Sequence, residues 1–130
     1  MFSVKRERGA AAVEFALLLP VLMVILLGIM EFGYAFYIQA SVASATRVGI
    51  RDYAIHYAQP HAQDDARALA RSGVPNPAYF VSGTFSGTCT DGAQNTLVVT
   101  YRYRSLTGLL DKIVGTNVIV TGKASMQCGG

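Results

Sequence analysis

No charged side chain interrupts the chain from Phe15 to Met30, and counted back to Ala10 the single charge in 21 residues is Glu14. Signatures of catalysis are missing too. Gly83, Gly87 and Gly92 lack the spacing and the lysine of a phosphate-binding loop, and there is no G-x-S-x-G nucleophile elbow. The chain has two cysteines and two histidines, and Cys89, Cys128, His56 and His61 lack metal-ligand spacing. The histidines stand five apart across Pro60, so no shared site is implied and a surface position at a helix–helix joint is expected. Asp64 and Asp65 are adjacent, and adjacent helical residues point apart, so they suit a helix start better than an acid–base pair. These absences argue against a nucleotide-binding, hydrolytic or metal-dependent enzyme. The expectation is a chain that is not an enzyme and takes no cofactor, metal or small-molecule substrate.

What the N-terminal third does contain is a lipid-compatible helix. At about 1.5 Å per residue, residues 10–30 reach across a hydrocarbon core about 30 Å thick. Leu17, Leu18, Leu19, Val21, Leu22, Ile25, Leu26 and Leu27 go all round such a helix, as a lipid-facing segment requires. The alternatives are a buried core helix, for which the remaining residues are too few and too polar, and a cleavable secretory signal. The best small-residue cut for a signal is Ala43-Ser44-Ala45, far beyond the end of the run. Lys5, Arg6 and Arg8 precede the run, which keeps the N-terminus cytoplasmic and sends the rest across. With Glu7 they supply +2 of the formal +3, so the high isoelectric point is a topology signal and not a nucleic-acid signal.

A carboxylate at the start of such a run costs about 2–4 kcal/mol on insertion scales, so something must offset it. Gly9 followed by Glu14-Phe15 resembles the type IV pilin superfamily. The longer string from Arg8 through Pro20, with Gly28-Ile29-Met30-Glu31-Phe32-Gly33, is similar to the TadE-like pseudopilins of the Tad (tight adherence) pilus, over roughly residues 8–55. The resemblance implies cleavage after Gly9 by a prepilin peptidase, an aspartic protease of the inner membrane, leaving Ala10 as the first mature residue. It also implies that Glu14 meets a neighbour's N-terminal ammonium in a filament. The physics agrees, because cleavage creates an amine beside the positive end of a helix dipole, and an adjacent carboxylate offsets both burdens. The other reading of Glu14 is a first-turn acid that stabilises its own helix end. Major Tad pilins are little more than the helix, so the sizeable domain here favours a minor subunit.

The helix is expected to continue to about residue 58, because no proline or turn cluster intervenes after Glu31. Ala35, Ile38, Val42, Ala45, Gly49 and Tyr53 recur at helical spacing on one face, and Ser44, Arg47 and Arg51 repeat on a polar side. Pro20 should kink the apolar half. Ala40, Ala43 and Ala45 offer room for a close neighbour. Pro60 through Asp65 opens a second helix that Gly73 stops. Strands are expected at Tyr79–Ser86, around Leu97-Val99-Tyr101-Tyr103, and around Val118-Val120-Gly122-Ala124-Met126, with a hairpin loop at Thr90-Asp91-Gly92 and a short amphipathic helix at Leu106, Leu109, Leu110 and Ile113. Tyr101 and Tyr103 alternate with Arg102 and Arg104, which indicates a half-buried strand over a nucleic-acid strip. The sheet's apolar face needs a cover, and the polar-backed half of the long helix can supply it.

Cys89 and Cys128 both follow the apolar run, on the side expected to be exported. In an oxidising periplasm they would form one disulfide, and the alternative is two unpaired thiols. Such a bridge favours an antiparallel sheet, with both strand ends on one edge, over a parallel crossover that would separate them. The expected organisation is a leader at 1–9, a long helix at 10–58 with its transmembrane segment at 10–30, and an α+β periplasmic domain at 59–130, a pilin-like arrangement with an antiparallel sheet. The leading functional expectation is a minor pseudopilin of the bacterial inner membrane that primes or tips a Tad or type IV-like pilus. Its partners would be the prepilin peptidase at Gly9 and Ala10, and other pilins through Glu14, Phe15 and the rest of the helix. The competing expectations are an uncleaved single-pass anchor whose outer domain binds an envelope partner, and a tethered periplasmic enzyme. Neither nucleic acid nor a small molecule is expected as a partner.

Overall fold

The computed structural model describes the backbone from Val4 to Gly129, and side chains from Gly9 on. Residues 1–3 of the expected leader lie outside the described residues, and the side chains of Lys5, Arg6 and Arg8 outside the described side chains. Helix α1 runs Val4–His56, continuous through Pro20. It is followed by α2 (Ala62–Ser72), a short 3-10 turn at Pro77–Tyr79, strand β1 (Phe80–Phe85), strand β2 (Gln94–Arg102), helix α3 (Leu109–Val114) and strand β3 (Ile119–Gln127). The chain is thus α+β, a long apolar N-terminal helix and then a small domain with an antiparallel sheet. It divides into two compact units, one ending at Gly33 and the other beginning at Tyr34.

In the second unit the sheet order is β1-β2-β3, antiparallel throughout. The period-two pattern of β2 has the expected result. Leu97, Val99 and Tyr101 are buried, while Thr96, Val98, Thr100 and Arg102 take the other face. The cover is the 34–56 part of α1. Ile38, Val42, Ala45, Gly49 and Tyr53 are buried at their three- and four-residue spacing, and Ser44, Arg47 and Arg51 stay exposed. Ile38 and Val42, so removed from water, each contribute about 1.5–3 kcal/mol.

Two glycines set how closely the layers approach. A Cβ on Gly49 would come within 2.9 Å of Ala70 Cβ and of Leu97 Cδ2, so α1, α2 and β2 meet there. A Cβ on Gly122 would overlap Thr46 Oγ1 and lie 2.9 Å from the Val42 carbonyl oxygen, so β3 crosses α1 at that point. The close approach expected at Ala40, Ala43 and Ala45 is realised at Ala45, against Gly73, while Ala40 is exposed. Gly73 does end α2, but with φ −82° it serves space and not a left-handed turn.

Several boundaries differ from expectation. α2 begins after His61, not at Pro60, because His61 takes a left-handed φ of 66° and its carbonyl accepts from the N–H groups of Asp64 and Asp65 at 2.9 and 3.0 Å. The first strand is shorter than Tyr79–Ser86, since Tyr79 closes the 3-10 turn and a register shift falls between Phe80 and Ser82. Leu106 stays in the loop before α3. Cys89 and Cys128 are joined by a disulfide, Cα–Cα 5.8 Å. The sheet is antiparallel as the bridge requires, but β1 and β3 lie on opposite edges and not on one. Cys89 reaches Cys128 because the loop after Phe85 carries it past the start of β2.

Candidate functional site

The N-terminal unit is a helix with no core of its own. Leucine is its commonest residue and favours helix. Its best 18-residue window has a mean hydropathy of 2.6, and none of that window is buried. A core helix would be buried, so that reading fails. The helix is long and apolar enough to cross a membrane, and is compatible with a single-pass anchor.

Gly9, Ala10, Glu14 and Phe15 lie along this helix, all exposed. Ala10 and Glu14 stand four residues apart, hence on one face a turn apart, while Phe15 points about 100° away. Pro20 follows in the same uninterrupted helix. A Cβ on Gly9, Gly28 or Gly33 would meet nothing within 4 Å. Helical glycine costs about 1 kcal/mol relative to alanine. At these three positions the folded chain gains no close packing in return, unlike at Gly49 and Gly122.

Residues 9–51 match the family described as TadE-like protein. The chain therefore carries a TadE-like segment, beginning at Gly9 and including Glu14, Phe15, Pro20 and Glu31. The match suggests a protein associated with the Tad pilus. No curated protein and no solved structure matches the chain.

The second unit has no cluster of three or more metal-ligating side chains among the described residues. His56 and His61 are exposed, and His56 Nδ1 lies 3.0 Å from Asp52 Oδ1. Asp64 opens α2 and accepts from Arg67 Nη1 at 2.7 Å. Tyr101 and Tyr103 are buried while Arg102 and Arg104 are exposed, so no basic-aromatic strip forms.

Sequence reasoning missed three residues. Tyr53, expected only as an apolar face residue, accepts from Gln63 Nε2 and from the Cys89 N–H, both at 3.0 Å, and packs on Phe85 with ring centroids 4.5 Å apart. It ties α1 to α2 and to the disulfide loop. Arg67 donates from Nε to the Gly83 carbonyl at 2.8 Å and stacks over Phe85, linking α2 to β1. Glu31, noted only as part of a motif, is buried. The signal available for Glu31 was a carboxylate directly after an apolar run, while Tyr53 and Arg67 act through residues remote in sequence.

Proposed function

We propose that this chain is a minor pseudopilin: a single-pass protein of the inner membrane, processed after Gly9, that primes or tips a Tad-type pilus. The supporting observation is the TadE-like match, which begins at Gly9 and carries Glu14 as the sole charge between Ala10 and Met30. Gly28 and Gly33, helical glycines without a close neighbour in their own chain, add support, since small residues let helices of adjacent subunits approach. The domain from Tyr34 onward, with its own core and disulfide, suits a specialised subunit better than a bulk fibre subunit.

The mechanism is non-covalent after processing. The leader holds Lys5, Arg6 and Arg8 in the cytoplasm until a prepilin peptidase removes it. The helix is then stored in lipid, and in a filament neighbouring helices replace that lipid. Glu14 meets a neighbour's Ala10 ammonium, and Pro20 bends the apolar half to fit the packing. The domain stays on the periplasmic side, where Cys89 and Cys128 oxidise.

Intact mass of the membrane-extracted protein tests this reading. The expected result is loss of residues 1–9 with Ala10 first, and retention of Met1 in Gly9→Leu. Native protein that keeps Met1 in cells with an active pilus system would rule out processing and leave an uncleaved anchor. Immunogold labelling confined to pilus ends, with pili lost on deletion, would support the priming or tip role over incorporation along the fibre.

A further inference from the structure

Helix α3 leaves most of its apolar side chains exposed. Four of its six residues, Leu109, Leu110, Ile113 and Val114, are apolar, and none is buried. Ile113 is 79% exposed, Val114 64% and the preceding Leu106 58%. The polar side chains hold the loop instead. Asp111 Oδ1 accepts from the Ser105 N–H at 3.2 Å, and Ser105 Oγ accepts from the Gly108 N–H at 2.9 Å. A six-residue helix is not stable by propensity alone, and this one has no core to hold it.

The position of α3 in the domain indicates what covers it. Leu110, Asp111 and Val114 line a 220 Å³ groove together with Ala35, Gln39, Tyr103, Val118 and Val120. Ala35 follows Met30, the end of the uncharged run, by five residues. Chain connectivity alone therefore keeps Ala35 within about 18 Å of the end of the span, whatever its direction. Exposed Phe36 and Tyr37 adjoin it, and Tyr34 packs near both Tyr37 and Tyr103 at centroid distances of 6.2 and 6.1 Å. Aromatic residues concentrate at membrane–water boundaries. The charge fits as well: Arg102, Arg104 and Lys112 are exposed here, and Asp111, which the loop engages, is the one acid in residues 102–119.

We infer that α3 and its flanks dock on the bilayer that the span crosses, with Leu106, Leu109, Ile113 and Val114 at the acyl–headgroup boundary and Arg104 and Lys112 on anionic phospholipid headgroups. The inference rests on the membrane-anchored reading of α1. The far end of the sheet, at Met126, then faces water and remains available to protein partners.

The absence of tryptophan provides the test. Full-length Leu22→Trp, Leu106→Trp, Ile113→Trp and Met126→Trp proteins are reconstituted in phosphatidylcholine–phosphatidylglycerol vesicles with and without brominated acyl chains. Leu22→Trp should be strongly quenched. Ile113→Trp and Leu106→Trp should emit at shorter wavelength than Met126→Trp and lose at least about half their intensity to shallow bromines, while Met126→Trp loses little. Quenching at Leu22 but at neither Ile113 nor Leu106 overturns the docking and spares the anchor. A blue shift at Ile113 without lipid quenching also overturns it, in favour of a protein contact. No quenching at Leu22 overturns the anchor and the docking together.

Discussion

A methyl group added at Gly122 would need space held by Thr46 Oγ1 and by the Val42 carbonyl oxygen. The threonine hydroxyl donates to that same carbonyl at 2.7 Å, so neither neighbour yields freely. Gly122→Ala should therefore lower stability by about 1–3 kcal/mol, the usual cost of overpacking. Gly83→Ala is the control, since its Cβ would be 3.4 Å from its nearest neighbours and should cost less. Thermal unfolding of both purified variants in detergent checks the difference, and equal midpoints would refute the close crossing of β3 on α1. Tyr101 carries the pH dependence that this scale offers. Burial raises its hydroxyl pKa, the Tyr34 hydroxyl adds to the rise, and a hydrogen bond with the Asn76 backbone opposes it. The unfolded chain then loses this proton first, near its ordinary value of about 10, and stability falls as pH rises from there through the folded pKa. Unfolding midpoints should be flat in this respect up to about pH 9 and then decline. Tyr101→Phe should decline less steeply, and an identical slope would show that other tyrosines carry the effect.

Among the elements, the disulfide shows what tertiary structure adds to local pattern. The bridge spans 39 positions and, in the chain-entropy view, destabilises the unfolded state by about 4 kcal/mol. Cys128→Ser should lower the unfolding midpoint markedly, and wild-type protein should resist thiol alkylation until reduced. Alkylation of both cysteines without reduction would refute the bridge. The buried faces of α1 and β2 were legible because each repeats with the period of its own element, so Val42 and Val99 announce themselves locally. Gly122 was legible as a strand residue, but not as the point where β3 meets Val42, which lies 80 residues earlier. The same holds for Arg67 on Gly83 and for the Tyr53 hydroxyl on the Cys89 N–H, contacts that exist only once elements pack. Strand ends were blurred for a related reason. The register shift after Phe80 and the loop that swings Cys89 past β2 depend on neighbours, and propensity does not report them.

At the scale of the whole molecule, folding and assembly make different demands on the same helix, and Glu14 separates them. It is exposed, so removing it takes no packing from the folded chain. In the membrane it is a burden, and Glu14→Leu should insert more readily than wild type because the desolvation cost of a carboxylate disappears. In the proposed filament it compensates a neighbour's Ala10 ammonium at membrane depth. Breaking a buried pair by deleting one partner costs about 3–5 kcal/mol, because the other charge stays desolvated. Glu14→Gln keeps the shape and removes the charge, so it isolates that term. Both variants should fold, keep the Cys89–Cys128 bridge and reach the membrane at wild-type levels, yet both should lose co-purification with other pilus subunits and reduce piliation. Ala10 lies one turn away on the same face, so the competing role is a carboxylate that steadies its own helix end. That role predicts a small stability change and normal assembly. Normal piliation in both variants at equal protein levels would assign Glu14 to its own helix, and the offset for its membrane cost would then lie within one chain.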